Sequence, residues 1–327
     1  MFRKAVQAIT EGRMPLLFTG IEGDKLGHIA LFDGASYGDG SILPASLDAD
    51  AKLPMVQDGV LIERITTAPQ LILCGGGHVS VQTAKVAKLV GFSVTVIDDR
   101  AEFANYERFP DADSILVEGY HTALERLHPS NAYYVIVTRG HKDDRACLEQ
   151  ILGKPFTYCG MIGSHTKVKL LFDDLEKNGI PRSLLDRVHS PIGLKIGANT
   201  PEEIAVCIVG EMIQVKNLDR CGVEWDEPLC EAIRTAKERY AMVTLIDKHG
   251  SAPRSTGARM IVRQDGTLIS SVGGGFGEYQ AAQYALQMLK NGPSVKRYTC
   301  NMNNTDAAKA GMVCGGSIDI LIQLVEA

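Results

Sequence analysis

The chain has 327 residues, enough for two domains that each bury their own core. Hydrophobic residues make up 45% of it and charged residues 22%, and a formal charge of -5 gives no reason to expect a nucleic acid or an anionic membrane as partner. No apolar run reaches the roughly 18 residues of a membrane span, and the N-terminus lacks a signal-peptide pattern. We therefore expect a cytoplasmic protein.

Residues 1–66 resemble part of the last third of the chain. Residues 4–19 align with 231–246 without a gap, and Gly23 then falls on Gly250. We interpret residues 1–66, the N-terminal copy, as a degenerate half-copy of the C-terminal domain that kept the scaffold and lost the chemical motifs. The alternative is an accidental match between two helix–hairpin segments.

Residues 67–216 alternate between strand-like and helix-like patterns. Strands are predicted at 70–74, 93–97, 114–117, 133–138 and 158–162, and helices at 79–90, 143–153, 165–178 and 201–216. Such alternation is typical of α/β proteins and predicts a Rossmann-like, doubly wound parallel sheet over this segment.

A glycine-rich turn joins the first of these strands to the first helix. Gly75, Gly76 and Gly77 would let backbone N–H groups and the positive helix end approach a pyrophosphate, and Asp98 ends the next strand, where an acid commonly binds ribose. His78 is either a neutral phosphate contact or a packing residue. The pattern predicts a site for a nucleotide-type cofactor, NAD(P) among them, and the alternative is a Rossmann-like fold whose nucleotide site is vestigial.

Two further turns in this segment are weaker candidates. Arg139 and Lys142 follow another strand and could hold an anion, while His141 between them could move a proton. The alternative is a solvated charged loop that caps a helix. The glycine-lined turn at 160–165 is a second candidate anion site of low specificity.

The pattern changes after Lys216. Residues 217–227 are polar, include the single tryptophan, Trp225, and are interpreted as a linker. Helices are then predicted from Pro228 to Tyr240 and at 278–289, with strands at 241–247, 258–263, 267–272 and 317–325. We predict a second, mixed α/β domain over residues 217–327.

Three motifs of this last segment carry the candidate chemistry. Ser251 and Arg254 belong to a Gly-Ser-Ala-Pro-Arg turn whose guanidinium suits bidentate anion contact. Gly273, Gly274 and Gly275 can present successive N–H groups to an anion, with Glu278 as the neighbouring carboxylate. Cys314 precedes Gly315 and Gly316, where the backbone leaves a thiol open to close approach.

Together these motifs predict an anion pocket beside an available thiol. The alternative for Cys314 is a buried structural cysteine. The chain has eight cysteines and no CxxC pair, so we expect neither a disulfide framework nor a zinc site. Buried, unreactive thiols are predicted for Cys74, Cys147, Cys159 and Cys207.

The motifs resemble those of the XdhC/CoxI family, maturation factors for molybdenum hydroxylases such as xanthine dehydrogenase. The resemblance includes the three C-terminal motifs and, in the centre, residues 75–79, 96–100, 160–164 and 190–194. Family members usually place the domain with the cysteine before the Rossmann domain, whereas here it follows. Arg139 also stands where the family often has a histidine, which argues against a metal role for that turn.

The resemblance implies a protein that binds molybdenum cofactor, as molybdopterin or its cytosine dinucleotide, supports its sulfuration and delivers it to an apo-hydroxylase. Cys314 would ligate molybdenum or accept sulfur from a cysteine desulfurase. Arg254 and the glycines 273–275 would hold the pterin phosphate, and Gly75–Gly77 the pyrophosphate of a dinucleotide form.

Two other functions stay open from the sequence. One is an NAD(P)-dependent oxidoreductase that uses the Rossmann domain, and the other is an interaction scaffold without a small ligand. The cofactor-binding chaperone is the favoured interpretation over a turnover enzyme. Base rates for soluble proteins favour a homodimer.

Overall fold

A computed structural model describes residues 1–47, 51–218, 222–250, 255–273, 275–301 and 316–326. The chain divides into two compact units, one formed by Met1–Thr67 together with Cys221–Ala327 and the other by Ala68–Arg220. Among the residues that the structure describes, no helix is both long and apolar enough to cross a membrane.

The helices and strands are as follows. The α-helices are α1 Phe2–Thr10, α2 His78–Leu89, α3 Tyr120–Arg126, α4 His141–Leu152, α5 His165–Lys177, α6 Arg182–Leu185, α7 Pro201–Leu218, α8 Glu227–Thr235 and α9 Gly275–Asn291. The strands are β1 Leu16–Gly20, β2 Ile29–Phe32, β3 Ser36–Gly38, β4 Met55–Gln57, β5 Val60–Thr66, β6 Gln70–Cys74, β7 Ser93–Ile97, β8 Ser114–Leu116, β9 Ala132–Ile136, β10 Tyr158–Met161, β11 Val223–Glu224, β12 Tyr240–Gly250, β13 Arg259–Val262, β14 Leu268–Ser270, β15 Val295–Asn301 and β16 Gly316–Val325.

The central unit confirms the predicted doubly wound parallel sheet. Its strands lie in the order β10-β9-β6-β7-β8, and each neighbouring pair is parallel. Continuous apolar runs such as residues 71–74 are buried because helices cover both faces of the sheet. The strand order reverses between β6 and β9, which is where open sheets of this class bind ligands.

The other unit contains two sheets whose strands are antiparallel except for β11, which runs parallel to β5. The first has the order β3-β2-β1-β5, with β4 and β11 also paired to β5, and the second has the order β14-β13-β12-β16-β15. The two sheets pack face to face, because Leu17 and Ile65 of the first share a core with Met242 and Ile261 of the second.

The same order of elements recurs in the two sheets. A helix, a strand and an antiparallel hairpin, α1-β1-β2-β3, correspond to α8-β12-β13-β14, and β5 pairs with β1 as β16 pairs with β12. On the outer face of the second sheet, α9 packs through Ala281, Ala285 and Met288. The corresponding face of the first sheet is covered by Ile42 and Leu53 instead. This shared topology is what the predicted repetition requires, and common ancestry of the copies stays a prediction.

The segment interpreted as a linker contributes to the core. Val223 and Glu224 form β11 beside β5, and Trp225 is 1% exposed. Asp226 then caps α8 by accepting a hydrogen bond from the Leu229 N–H at 2.9 Å. A large aromatic side chain gains too much from burial to stay on a polar connection.

Candidate functional site

Several predicted site residues lie outside the residues that the structure describes. These are Ser251, Arg254, Gly274, Cys314 and Gly315. The backbone of His141 begins α4, but its side chain is likewise outside them. Their roles stay predictions, and the chain on either side of each segment supplies the geometry.

The three C-terminal motifs begin or end at one end of the second sheet. Gly250, the last residue of β12, is paired with Gly316, the first residue of β16, and Asn301 at the end of β15 is paired with Ser317. Ser270 at the end of β14 is paired with Met260 at the start of β13, so the chain enters the glycine turn at this same end. Strand register therefore places the described residues that flank these motifs at one end of the sheet, although the motifs are far apart in the sequence.

The glycine turn before α9 is held by a carboxylate. Glu278 Oε2 accepts hydrogen bonds from Ser271 Oγ at 2.5 Å and from the Val272 N–H at 3.0 Å, and Ser271 Oγ accepts one from the Gly273 N–H at 3.1 Å. Gly273 and Gly275 have φ of 141° and 67°, which side chains rarely adopt. Glu278 thus fixes the turn in front of a helix N-terminus, a position that favours anions.

An ionic network lies beside the strands that flank residues 302–315. Arg297 on β15 donates to Asp319 Oδ2 on β16 at 2.6 Å and to Glu22 Oε1 at 2.9 Å, and Thr299 Oγ1 donates to Asp319 Oδ1 at 2.7 Å. Burial alone would raise the pKa of Asp319, but the hydrogen bonds from Arg297 and Thr299 outweigh it and lower that pKa. Asp319 is therefore a carboxylate at neutral pH.

A cleft of about 360 Å³ adjoins this network. Both sheets line it, with Glu22 and Met55 on one side and Asp247, Thr256 and Arg297 on the other. Asp247 lies three residues before Gly250, and Thr256 lies two residues after Arg254. Two residues that line the cleft are thus close in sequence to the Ser251–Arg254 motif.

The glycine-rich turn of the Rossmann unit contains glycines with different surroundings. If Gly75 carried a Cβ, that atom would lie 2.2 Å from the backbone oxygen of Val137, and a Cβ on Gly76 would lie 2.5 Å from the backbone oxygen of Phe103. A Cβ on Gly77 would have no other atom within 4 Å. Gly75 and Gly76 are needed for close backbone packing. Gly77, followed by the exposed His78, is the one that borders open space.

Asp98 is engaged inside the protein. It is fully buried, and its Oδ2 accepts from the Gly76 N–H at 2.8 Å and from Arg100 Nη2 at 2.9 Å. Its Oδ1 accepts from the N–H of Arg100 at 3.1 Å and from Nε at 2.9 Å. Burial would raise the pKa of Asp98, but hydrogen bonds from Arg100 and Gly76 outweigh it and lower that pKa. A ribose hydroxyl would have to displace Arg100 to reach this acid.

An ion pair links the ends of β7 and β9, the strands on either side of β6. Arg139 Nη2 lies 3.4 Å from Asp99 Oδ2, and Arg139 Nε lies 3.6 Å from Asp143 Oδ2. Sequence reasoning singled out Asp98 and missed both the ion pair of Asp99 with Arg139 and the bonds that Arg100 makes to Asp98. The sequence signal for the bonds to Asp98 was Arg100, which follows it by two residues and is close enough to neutralise its charge.

The four cysteines that were predicted to be buried are buried in the structure. The six that the structure describes are all buried, including Cys74, Cys147, Cys159 and Cys207. Burial raises the pKa of Cys230 and of Cys300 to about 11, which keeps those thiols protonated and unreactive. Within the described ranges, no group of three or more His, Cys, Asp or Glu side chains could hold a metal ion.

Comparisons with known proteins agree with both units. The family model of the XdhC Rossmann domain matches residues 71–212, and that of the XdhC and CoxI family matches residues 233–299. A xanthine dehydrogenase from Bacillus halodurans has a similar fold, with a TM-score of 0.50 and 24% identity over 65% of each chain.

Two curated relatives match about half of this chain. A probable xanthine dehydrogenase subunit from Bacillus subtilis is 35% identical over 159 residues, which are 48% of this chain and 46% of that protein. An uncharacterized protein of Escherichia coli, YqeB, is 35% identical over 150 residues, which are 46% of this chain and 28% of that protein. The chain therefore spans less than half the length of either relative. With both domain types matched in sequence, the chain belongs to the XdhC/CoxI family.

Proposed function

We propose that this protein is a maturation factor for a molybdenum hydroxylase. In this role it binds molybdenum cofactor, supports its sulfuration and transfers it to the apo-enzyme. The observation that supports this most is that the strand ends flanking the three glycine-containing motifs lie at one end of the second sheet. The Bacillus subtilis relative, which is named for xanthine dehydrogenase, supports the choice of hydroxylase as client.

The residues around that sheet end suit a thiol-dependent carrier. Cys314 follows β15 and precedes β16, and its thiolate would ligate molybdenum or take a sulfane sulfur from the persulfide of a cysteine desulfurase. In the second case the donor's S–S bond breaks as a new S–S bond forms on Cys314. Arg254 and the Gly273–Gly275 turn would hold the pterin phosphate.

The test is a pterin assay combined with one substitution. Protein purified from cells that make molybdenum cofactor is expected to retain a pterin that fluoresces after oxidation. Cys314→Ala is expected to abolish activation of the client hydroxylase, with Cys300→Ala as the control because that thiol is buried. Normal activation by Cys314→Ala would exclude Cys314 from the mechanism.

The Rossmann unit supports a second, nucleotide-binding role. Its strand order reverses between β6 and β9, and Gly77 borders open space at that point. We propose that the pyrophosphate of a pterin dinucleotide binds there, with NAD(P) as the competing ligand. Calorimetric titrations with NADH and with NADPH separate the two, because an NAD(P)-dependent oxidoreductase must bind one of them.

A further inference from the structure

The N-terminal copy forms a buried ion pair with the copy that carries the motifs. Glu63 on β5 accepts two hydrogen bonds from Arg259 on β13, at 3.0 Å for Oε1 and 2.5 Å for Oε2. The side chains of Glu63 and Arg259 are 0% and 1% exposed, respectively. This bidentate contact joins the two sheets through their shared core.

Arg259 extends this contact to the chain that follows the Ser251–Arg254 motif. Its Nη1 also donates to the Gly257 oxygen at 2.9 Å, and the Gly257 N–H donates to the Leu245 oxygen at 2.8 Å. Gly257 has a φ of +93°, and a Cβ there would lie 2.4 Å from Glu63 Oε1. Gly257 is thus held against Glu63 three residues after Arg254.

A second acid of the N-terminal copy, Glu22, contacts a strand that flanks the segment containing Cys314. Glu22 binds Arg297, which also binds Asp319, so that it connects β15 and β16. These strands lead into and out of residues 302–315, which include Cys314. Glu22 and Arg297 also line the 360 Å³ cleft, together with Thr256, the residue that precedes Gly257 in the chain.

Stability alone is a weak reason for such a buried pair. Replacing a buried ion pair by apolar residues of similar volume is often neutral or stabilising. The N-terminal copy lacks all three motifs, yet two of its acids, Glu22 and Glu63, contact the chain beside two of them.

We propose that residues 1–66 are a built-in positioning element for the C-terminal site. Glu63, through Arg259, and Glu22, through Arg297, set the positions from which residues 251–254 and 302–315 depart. Both acids are positioning residues. The identity of the ligand at the C-terminal site rests on the proposed function. The positioning by Glu63 and Glu22 does not depend on it.

The experiment compares charge removal with apolar replacement in the full-length protein. Glu63→Gln leaves Arg259 buried without its charge partner and is expected to lower Tm by roughly 10 °C. The double variant Glu63→Leu with Arg259→Met is expected to recover most of that loss. We expect both variants to show faster hydrogen exchange at residues 251–258 and at least a tenfold lower content of co-purified pterin.

The exposed acid Glu22 allows a test that spares the fold. Glu22→Gln is expected to keep the wild-type Tm and to accelerate hydrogen exchange at residues 302–315. The matched control is Asp24→Asn, since Asp24 is an exposed acid two residues away. Wild-type exchange and pterin content in the apolar double variant and in Glu22→Gln would overturn the proposal.

The two proposals fail in different ways. If the wild-type protein retains no pterin, the maturation role fails, while the exchange measurements still test positioning. If pterin is retained but neither acid affects exchange at the motif segments, the positioning role fails and the maturation role stands.

Discussion

Three consecutive glycines after β6 have different structural requirements. Gly75 has a φ of +114° and Gly76 has no room for a Cβ, whereas Gly77 has an ordinary φ of -69° and open space around it. Only Gly77 has the space that a ligand needs, although all three fit a nucleotide-binding pattern.

This difference predicts opposite results for two equally small substitutions. Gly76→Ala is expected to destabilise the Rossmann unit by about 2 kcal/mol, because its methyl group would overlap the Phe103 backbone. Gly77→Ala is expected to cost less than about 1 kcal/mol, the usual range at a helix N-cap. Urea unfolding measures both, and equal losses would contradict the assignment of open space to Gly77.

Asp98 shows what a sequence pattern can and cannot predict about a site. Its place at the end of the second strand follows from the alternation of apolar runs, and β7 ends one residue before it. Its availability does not follow, because that depends on the bonds it makes with Arg100 and Gly76. Spacing predicts position along the chain, and tertiary hydrogen bonding decides whether the position is free.

At the scale of elements, strands with unbroken apolar runs were predicted, whereas one polar edge strand was missed. The sequence predicted β6, β7, β10 and α9 to within a few residues, because buried runs and helical periodicity are strong signals. It missed β15, a sheet-edge strand in which lysine, arginine and threonine interrupt the apolar residues. β15 leads to residues 302–315. The sequence alone therefore could not show that the strand ends flanking the three motifs lie together, because that follows from the register of the whole sheet.

Carboxylates that fix the ends of elements make the Rossmann unit sensitive to acid. At Asp98, Asp113 and Glu211, burial opposes ionisation, but hydrogen bonds from Arg100, Lys88 and His189 respectively help to lower each pKa. A lowered pKa in the folded state contributes stability above the unfolded value, about 4, and that contribution is lost as the pH falls through the folded value.

We therefore expect the free energy of unfolding of this unit to be flat near neutrality and to fall below about pH 4. Asp98→Asn is expected to be less stable at pH 7 and to lose less on acidification. Urea titrations between pH 7 and pH 2 measure both trends. A wild-type protein whose stability rose on acidification would contradict the assigned pKa directions.

At the scale of the whole molecule, the first and last parts of the chain build one unit. Phe2, Val6 and Ile9 of α1 pack with Leu229 and Ile233 of α8. Neither copy therefore completes its core alone. By contrast, the clusters that line the Rossmann sheet draw only on residues between 68 and 220.

Deleting residues 1–67 should therefore unfold the C-terminal copy but leave the Rossmann unit intact. Trp225 is the single tryptophan of the chain and lies in the core shared by the two copies, so its fluorescence reports on that unit alone. In the deletion variant we expect red-shifted, solvent-exposed emission from Trp225. We also expect residues 68–220, prepared as a fragment, to unfold cooperatively with helical circular dichroism. Blue-shifted emission from Trp225 after the deletion would show that residues 221–327 fold without their N-terminal copy, and the shared core would then not be required for their stability.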